Sequence, residues 1–503
     1  MQNKDMWVDR LSLTPGGLCW VYLLIVLVYA YQAIVPGLNA DDVVQIQSIS
    51  QDARTFVGQG RWGYYMVFEW LQDNNPGGLF YSAVGSALLL LSNWFAARLL
   101  NFRHHAATYA FLLVSSISIY YGMLFDFDST RVAYPLANVC ALGGVYAWYQ
   151  RRYVIGLVLM ALAPALYPAA SQVAGMLLLC FALVTCLRGH WQYALKQFAS
   201  GTAGLVASLL VYYAVTTLAY RYVGIELSGR MSISPLAFIE NAEVIKALFL
   251  HHSVVFLTQQ SDSFYITWRW TRPLLGIFAL FLACYLVACY QRRSVVTWLV
   301  TLALIVVSLF AAFALAFAGV NTPFPPRSLI ALALLHGFWV AFSIDQLCDC
   351  NLVRLKRLGT WAVAGIAAVF LFDTAAQINK FAFDTHLSTR VDLMATNRIV
   401  QRIENISAEQ DIPLTYPQPV VVIYDQPLPA NPRGDTGTAR HAPWSREWIF
   451  RMVDPRYLPA TDTQRQEQAR SAAAGRSGWP AEDSVFFDNG VVVVIINQQA
   501  TSP

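Results

Sequence analysis

Charge is the first thing this chain is short of. Only 13% of its 503 residues are Asp, Glu, Lys or Arg, against roughly 25% in an average soluble domain. The shortage is uneven. Ile378–Pro503 holds 26 of the 64 charged residues, about 21% of that segment, and the 377 residues before it hold 38, about 10%. So few charges cannot cover a globule in water, which excludes a soluble architecture for residues 1–377. Cysteine is missing after Cys350, which excludes a disulfide framework for the C-terminal part. Six of the eight cysteines (Cys19, Cys140, Cys180, Cys186, Cys284 and Cys289) lie within apolar segments. Cys348-Asp349-Cys350 offers two sulfurs without a nearby His or second Cys pair, a poor metal site. There is no basic run, which argues against a nucleic-acid partner, and no repeat of fixed period.

Hydrophobic residues are abundant, at 56% of the chain with a mean hydropathy of +0.45. Apolar stretches near the roughly 20-residue spanning length recur at 17–36, 79–100, 107–125, 132–149, 154–170, 172–188, 198–220, 273–290, 295–318, 328–346 and 360–377. These predict a mainly α, polytopic membrane protein of about eleven spans over residues 1–377, followed by a small α/β domain over 378–503. The first span lacks a small-residue cleavage site and reads as a membrane anchor, not a signal peptide.

Basic residues mark the cytoplasmic side. Arg98 and Arg103, Arg151 and Arg152, Arg188 and Lys196, Arg292 and Arg293, and Arg354, Lys356 and Arg357 fall in alternate connections. That pattern predicts a cytoplasmic N-terminus and a C-terminal domain outside. In the C-terminal domain, Leu387, Val391, Met394, Ile399 and Ile403 suit the apolar face of a helix over 385–409. Pro419–Tyr424 and Gly490–Ile496 read as buried strands, and the polar stretch 461–478 as a loop or exposed helix.

Polar chemistry gathers in the outer loops. Asp41-Asp42 follows the first span, and Asp126 and Asp128 sit in the short loop after the third. Adjacent carboxylates beside a span have a bland reading, polar closure of a helix at the interface. They have two chemical ones, a general base for a substrate hydroxyl or hard oxygen ligands for a divalent cation, Mg or Mn. Candidate cations for a phosphate are Arg61, Arg131, Arg269, Arg272 and Arg327; an interfacial Arg also simply snorkels to headgroups. Gly58, Gly60 and Trp62 around Arg61 suggest a turn beside a stacking platform, and the prolines before Arg327 stiffen its approach. Trp62, Tyr64, Tyr65 and Tyr167 are candidate sugar-stacking aromatics, against the alternative of interface belts. His336 reads as a packing residue in its span and His251-His252 as surface loop. Glycosyl transfer from a lipid phosphate requires this inventory of base and cations.

The pattern Leu38-Asn39-Ala-Asp41-Asp42 followed by Gly60-Arg61-Trp62 resembles the first outer loop of the bacterial Gtr-type membrane glucosyltransferases that modify O-antigen. Phe127-Asp128-Ser129, Pro326-Arg327, Trp479-Pro480 and Asp488-Asn-Gly-Val-Val-Val-Val494 are similar to further segments of that family. The resemblance implies a GT-C fold in the inner membrane, a polyprenyl-phosphate-linked sugar donor carrying a hexose, with glucose the one expected, and a lipid-linked O-antigen or related glycan acceptor on the outer face. It places the general base in the Asp41-Asp42 pair and an auxiliary acidic role at Asp128. Arg61, Arg327 and Arg131 would then hold the donor phosphate, with Trp62, Tyr167, Gln172 and Asp126 lining the substrate. The chain departs from the family at Gln45, where members often carry Arg, so the phosphate contact passes to Arg54 or to another loop. The family's Tyr-Gln pair is here separated as Tyr167 and Gln172. The rival reading is a lipid-linked glycan flippase; transporters place polar groups near the midplane, often in repeated halves, and neither feature is evident here.

Overall fold

The computed structural model describes residues 13–35, 37–47, 56–72, 78–225, 237–243, 245–246, 294–315, 326–348, 353–424 and 445–496, with 276 and 442 singly. Apart from Gly276, the expected span at 273–290 falls outside them, as do Arg54, His251, His252, Arg269, Arg272 and the prolines before Pro326. The chain is mainly helical. In order, the α-helices of five or more residues are α1 (Pro15–Ile34), α2 (Ala40–Gln47), α3 (Trp62–Met66), α4 (Gly78–Leu100), α5 (His105–Ser116), α6 (Ile119–Phe125), α7 (Ala133–Tyr149) and α8 (Tyr153–Leu166). There follow α9 (Ala170–Leu187), α10 (Trp191–Val223), α11 (Val295–Ala311), α12 (Ala331–Cys348), α13 (Val353–Glu409), α14 (Trp448–Val453) and α15 (Thr463–Ala472). Two compact units result. One comprises Met1–Ile34, Gln51–Phe125 and Ser129–Lys380, the other Val35–Ser50, Asp126–Asp128 and Phe381–Pro503.

The first unit is the membrane part. Among the described residues six helices are long and apolar enough to cross a bilayer (α1, α4, α9, α10, α12 and α13), or seven if the bent pair α5–α6 counts as one span. α8 and α11 are shorter apolar helices. With no hydrophobic drive between helices in lipid, small residues let backbones approach. Gly144 and Gly156 do this for α7 and α8: a Cβ on Gly156 would lie 2.9 Å from the Gly144 carbonyl oxygen.

The bend of 47° between α5 and α6 leaves main-chain groups of 116–118 outside a regular helix, which a membrane interior does not tolerate unpaired. Tyr29 of α1 takes them up. Its hydroxyl donates to the Ser116 carbonyl at 2.7 Å and accepts from the Ser118 N–H at 3.3 Å. Asn93 on α4 donates to the Ser116 hydroxyl at 2.9 Å.

The second unit carries a four-stranded sheet in the order β2-β1-β4-β3, with β1 (Gln418–Tyr424) parallel to β2 (Tyr457–Pro459) and β4 (Val491–Ile496), and β3 (Val485–Asp488) antiparallel to β4. Both strands read from the sequence are present. Asn489 and Gly490 link β3 to β4 with φ of 45° and 79°, the left-handed pair that a two-residue hairpin needs. Each face of the sheet has its own core. Val420, Val422, Val492 and Val494 pack on Ile399, Val400, Ile403 and Ile406 of α13 and on Phe450 of α14. Val421, Val491, Val493 and Ile495 pack around Ala469 of α15. The polar stretch 461–478 thus contains a helix, N-capped by Asp462, whose carboxylate accepts from the Gln464 N–H. At the sheet's edge Arg456 bridges Asp454 and Glu404, and its guanidinium holds the Asp454 carboxyl below the usual carboxylate range.

One expectation needs correction. The proposed apolar face of the outer helix included Leu387, Val391 and Met394, but these are exposed, and the buried side there carries Thr389, Asp392 and Thr396. The sheet provides an apolar partner only from about Leu393 onward, and the earlier turns bury small polar groups instead. The helix is also continuous with the last apolar span, as α13 runs 57 residues. No Gly or Pro lies between Gly365 and Pro413 to stop it.

Candidate active site

The acids lie in the second unit. Asn39 precedes α2 and caps it, its Oδ1 accepting from the N–H groups of Asp41 at 2.9 Å and Asp42 at 3.0 Å. Its Nδ2 donates to Asp42 Oδ2 at 2.8 Å and to the Asp126 carbonyl at 3.4 Å. The same carboxylate oxygen accepts from the Asp128 N–H at 3.3 Å. Asp41, Asp42, Asp126 and Asp128 are therefore brought together, from two loops far apart in sequence. Asp42 is 0% exposed and Asp126 and Asp128 are buried, while Asp41 is half-buried.

Residues after the last span hold this helix in place. Val43 is fully buried in the core formed by Ile399, Ile403 and Phe450. The Thr389 hydroxyl accepts from the Leu38 N–H at 2.9 Å and lies 3.2 Å from its carbonyl. Gly37 leaves no room for a side chain, since a Cβ there would stand 2.7 Å from Thr385 Cγ2.

A cationic and aromatic cluster lies in the first unit. The turn expected around Gly60 is formed, with φ 74° at Gly60 and the Arg61 N–H donating to the Phe56 carbonyl at 2.8 Å. Arg61 Nη1 donates to the Tyr134 hydroxyl at 3.3 Å, and its guanidinium carbon lies 6.0 Å from the Tyr167 ring centroid. Its Nε is buried without a hydrogen-bond partner among the described residues. Tyr134 and Tyr167 stack at 4.0 Å and 18°, and the Tyr167 hydroxyl donates to the Arg327 carbonyl at 3.1 Å. Trp62 packs on Ala161, Ala165 and Tyr212, with its Nε1 donating to the Thr216 hydroxyl at 3.1 Å. The structure therefore joins Arg61, Tyr167 and Arg327 through one chain of contacts. Tyr167 is itself buried, with Tyr134 stacked on its ring.

Arg131 is 1% exposed, with Nε donating to the Phe125 carbonyl at 3.0 Å and Nη2 to the Gln32 carbonyl at 2.7 Å. Gln172 is buried on the first turn of α9, its Oε1 without a hydrogen-bond partner among the described residues. His336 is buried near Tyr120 and lines a small cavity with Ser118, Thr374 and Gln377. Among the described residues no three His, Cys, Asp or Glu side chains form a metal-holding group.

Three contributors were not foreseen: the Asn39 amide, Tyr134 and Thr389. Asn three residues before an Asp at a helix start is a legible capping signal. Nothing in the sequence singles out one tyrosine or one threonine on long helices. Neither a curated protein nor a solved structure matches the chain. A family pattern does, described as Glucosyl transferase GtrII, over residues 30–344. That stretch contains both acidic loops, Arg61, Tyr134, Tyr167, Gln172 and Arg327, and ends before the C-terminal sheet. With well over half of its length matched, this membrane protein belongs to the GtrII glucosyl transferase family, whose chemistry transfers a glucosyl group from a donor to an acceptor.

Proposed function

We propose that the chain is a GT-C-type glucosyltransferase of the bacterial inner membrane. It takes glucose from a polyprenyl-phosphate-linked donor and transfers it to lipid-linked O-antigen or a related surface glycan on the outer face. The observation that supports this most, beyond the family, is the capped helix α2, with a fully buried Asp42 and a half-buried Asp41. The alternating basic loops support a cytoplasmic N-terminus, and with the eleven apolar runs read as crossings they support a periplasmic C-terminal domain.

In the reaction the acceptor hydroxyl attacks the anomeric carbon. The new glycosidic C–O bond forms as the bond to the donor phosphate breaks; the hydroxyl proton passes to a carboxylate, and the bonding pair leaves on the phosphate oxygen. Asp41 takes the proton, because its side chain retains exposure and a base must come within hydrogen-bond reach of the attacking oxygen. Asp42 accepts N–H groups and holds the two acidic loops together, with Asp128 in an auxiliary role. Arg61 and Arg327 supply the preoriented positive charge that a departing phosphate needs. Tyr134 and Tyr167 position these two arginines, and Trp62, Gln172 and Asp126 serve the substrate. Arg131 holds the turn after α6. Asp42 Oδ2 faces two N–H donors, from the Asn39 amide and the Asp128 main chain.

The test uses purified protein with polyprenyl-phosphate glucose and a lipid-linked glycan, following the new glycosidic bond by mass. Asp41→Asn should lower turnover by about 10²–10⁴-fold and leave donor binding near wild type. Arg327→Ala should weaken donor binding as well, since the phosphate is present in ground and transition states. Full turnover in Asp41→Asn would reject it as the base. Glycan movement without a new bond would establish a flippase.

A further inference from the structure

Asn39 uses its whole carboxamide. Its oxygen faces two N–H donors, from Asp41 and Asp42, and its nitrogen faces two acceptors, Asp42 Oδ2 and the Asp126 carbonyl. The flipped amide would set N–H against N–H and oxygen against carboxylate, so the contacts define the orientation. The side chain is 4% exposed.

Capping alone does not call for Asn. Asp and Ser cap helices about as well, because a cap needs only an acceptor. Asn differs from both in carrying amide donors beside that acceptor. Here the donors meet a carboxylate with no exposed surface, and a buried carboxylate has to be hydrogen-bonded to be tolerated. The same donors reach the loop that carries Asp126 and Asp128. One side chain thus fixes the start of α2, the Asp42 carboxylate and the second acidic loop.

We propose that Asn39 is the positioning residue of the acidic site, its carboxamide locking Asp42 between the two acidic loops and so setting the direction of Asp41. The proposal rests on the reading of the Asp41-Asp42 pair as the source of the base. Asn39 touches no reacting atom. It acts through the aspartates, whose placement has to hold to well under an ångström for efficient proton transfer.

The experiment compares Asn39→Ser and Asn39→Asp in the full-length purified protein, with Asp41→Asn alongside. Turnover, donor KM and the thermal unfolding midpoint are measured for each. Both Asn39 variants keep a capping acceptor and lose the amide donors. Each should lower kcat by about 10- to 100-fold, the loss expected for a hydrogen bond to a charged group, with donor KM within about twofold of wild type. A residue that only caps the helix would show wild-type kcat in both. Wild-type kcat in a folded Asn39→Ser or Asn39→Asp, with Asp41→Asn inactive, overturns the positioning role and leaves the base assignment standing. Full turnover in Asp41→Asn overturns both. Should one Asn39 variant fail to fold, the other carries the comparison, and a rise in donor KM without loss of kcat also counts against the role.

Discussion

Arg131 sends Nε to one main-chain carbonyl and Nη2 to another, whereas Arg61 reaches a tyrosine hydroxyl. The sequence presents both as arginines of outer loops and offers no means of sorting them, because the Gln32 carbonyl that Arg131 meets comes from another helix. The sorting predicts opposite behaviour on replacement by lysine, which keeps the charge and loses the planar fork. Arg131→Lys cannot serve both carbonyls, and losing one hydrogen bond to a charged group costs about 1.5–3 kcal/mol. Its thermal midpoint should fall while donor KM stays near wild type. Arg61→Lys should raise donor KM with little change in midpoint. Thermal unfolding and donor titration of the two purified variants decide it, and a KM change confined to Arg131→Lys would reverse the two assignments. The Asp41-Asp42 pair was legible as an acidic motif. Its internal division of labour was not, since adjacent aspartates differ only in what surrounds them.

At the scale of elements, eleven apolar runs marked the membrane unit, and six helices among the described residues, or seven with the bent pair, are long and apolar enough to cross; the two buried strands were legible, whereas the β3–β4 hairpin was not read. Less legible were the interruptions and continuities. The stretch 107–125 reads as one span by composition, yet it bends by 47° after Ser116, where Tyr29 takes up the exposed main-chain groups. A bend of this kind depends on a partner hydroxyl from another helix, which a pattern read along one segment does not contain. Tyr29→Phe keeps the ring, stacked on Phe125 at 4.4 Å, and removes only the hydroxyl. It leaves the Ser116 carbonyl and Ser118 N–H without that partner, at a cost of about 1–3 kcal/mol for buried unsatisfied groups. A lower unfolding midpoint with the helical circular dichroism retained is the expected result. An unchanged midpoint would mean that another group takes over the hydroxyl's bonds.

At the scale of the whole molecule, the low charge before residue 378 separates a membrane part from a more polar C-terminal part. The compact units follow that division only in part, because Val35–Ser50 and Asp126–Asp128 group with Phe381–Pro503. Val43 packing among Ile399, Ile403 and Phe450 is the physical reason for the first of these, a contact between segments about 350 residues apart that hydropathy cannot reveal. Orientation, by contrast, is a property of the chain's basic loops. Five connections agree in parity, so a reporter fused after Pro503 should be active only outside the cytoplasm, and one placed at Gly189 only inside. A phosphatase and a fluorescent protein, each working on one side only, give the two readouts. The count is weakest at α8, whose 14 residues extend only about 21 Å, short of the roughly 30 Å hydrocarbon core. If α8 fails to cross, every later connection changes sides and a C-terminal reporter becomes cytoplasmic. Fusions at Tyr149 and Tyr167 separate the causes: the same side for both removes α8 as a crossing, whereas opposite sides with a cytoplasmic C-terminus put the miscount after α8.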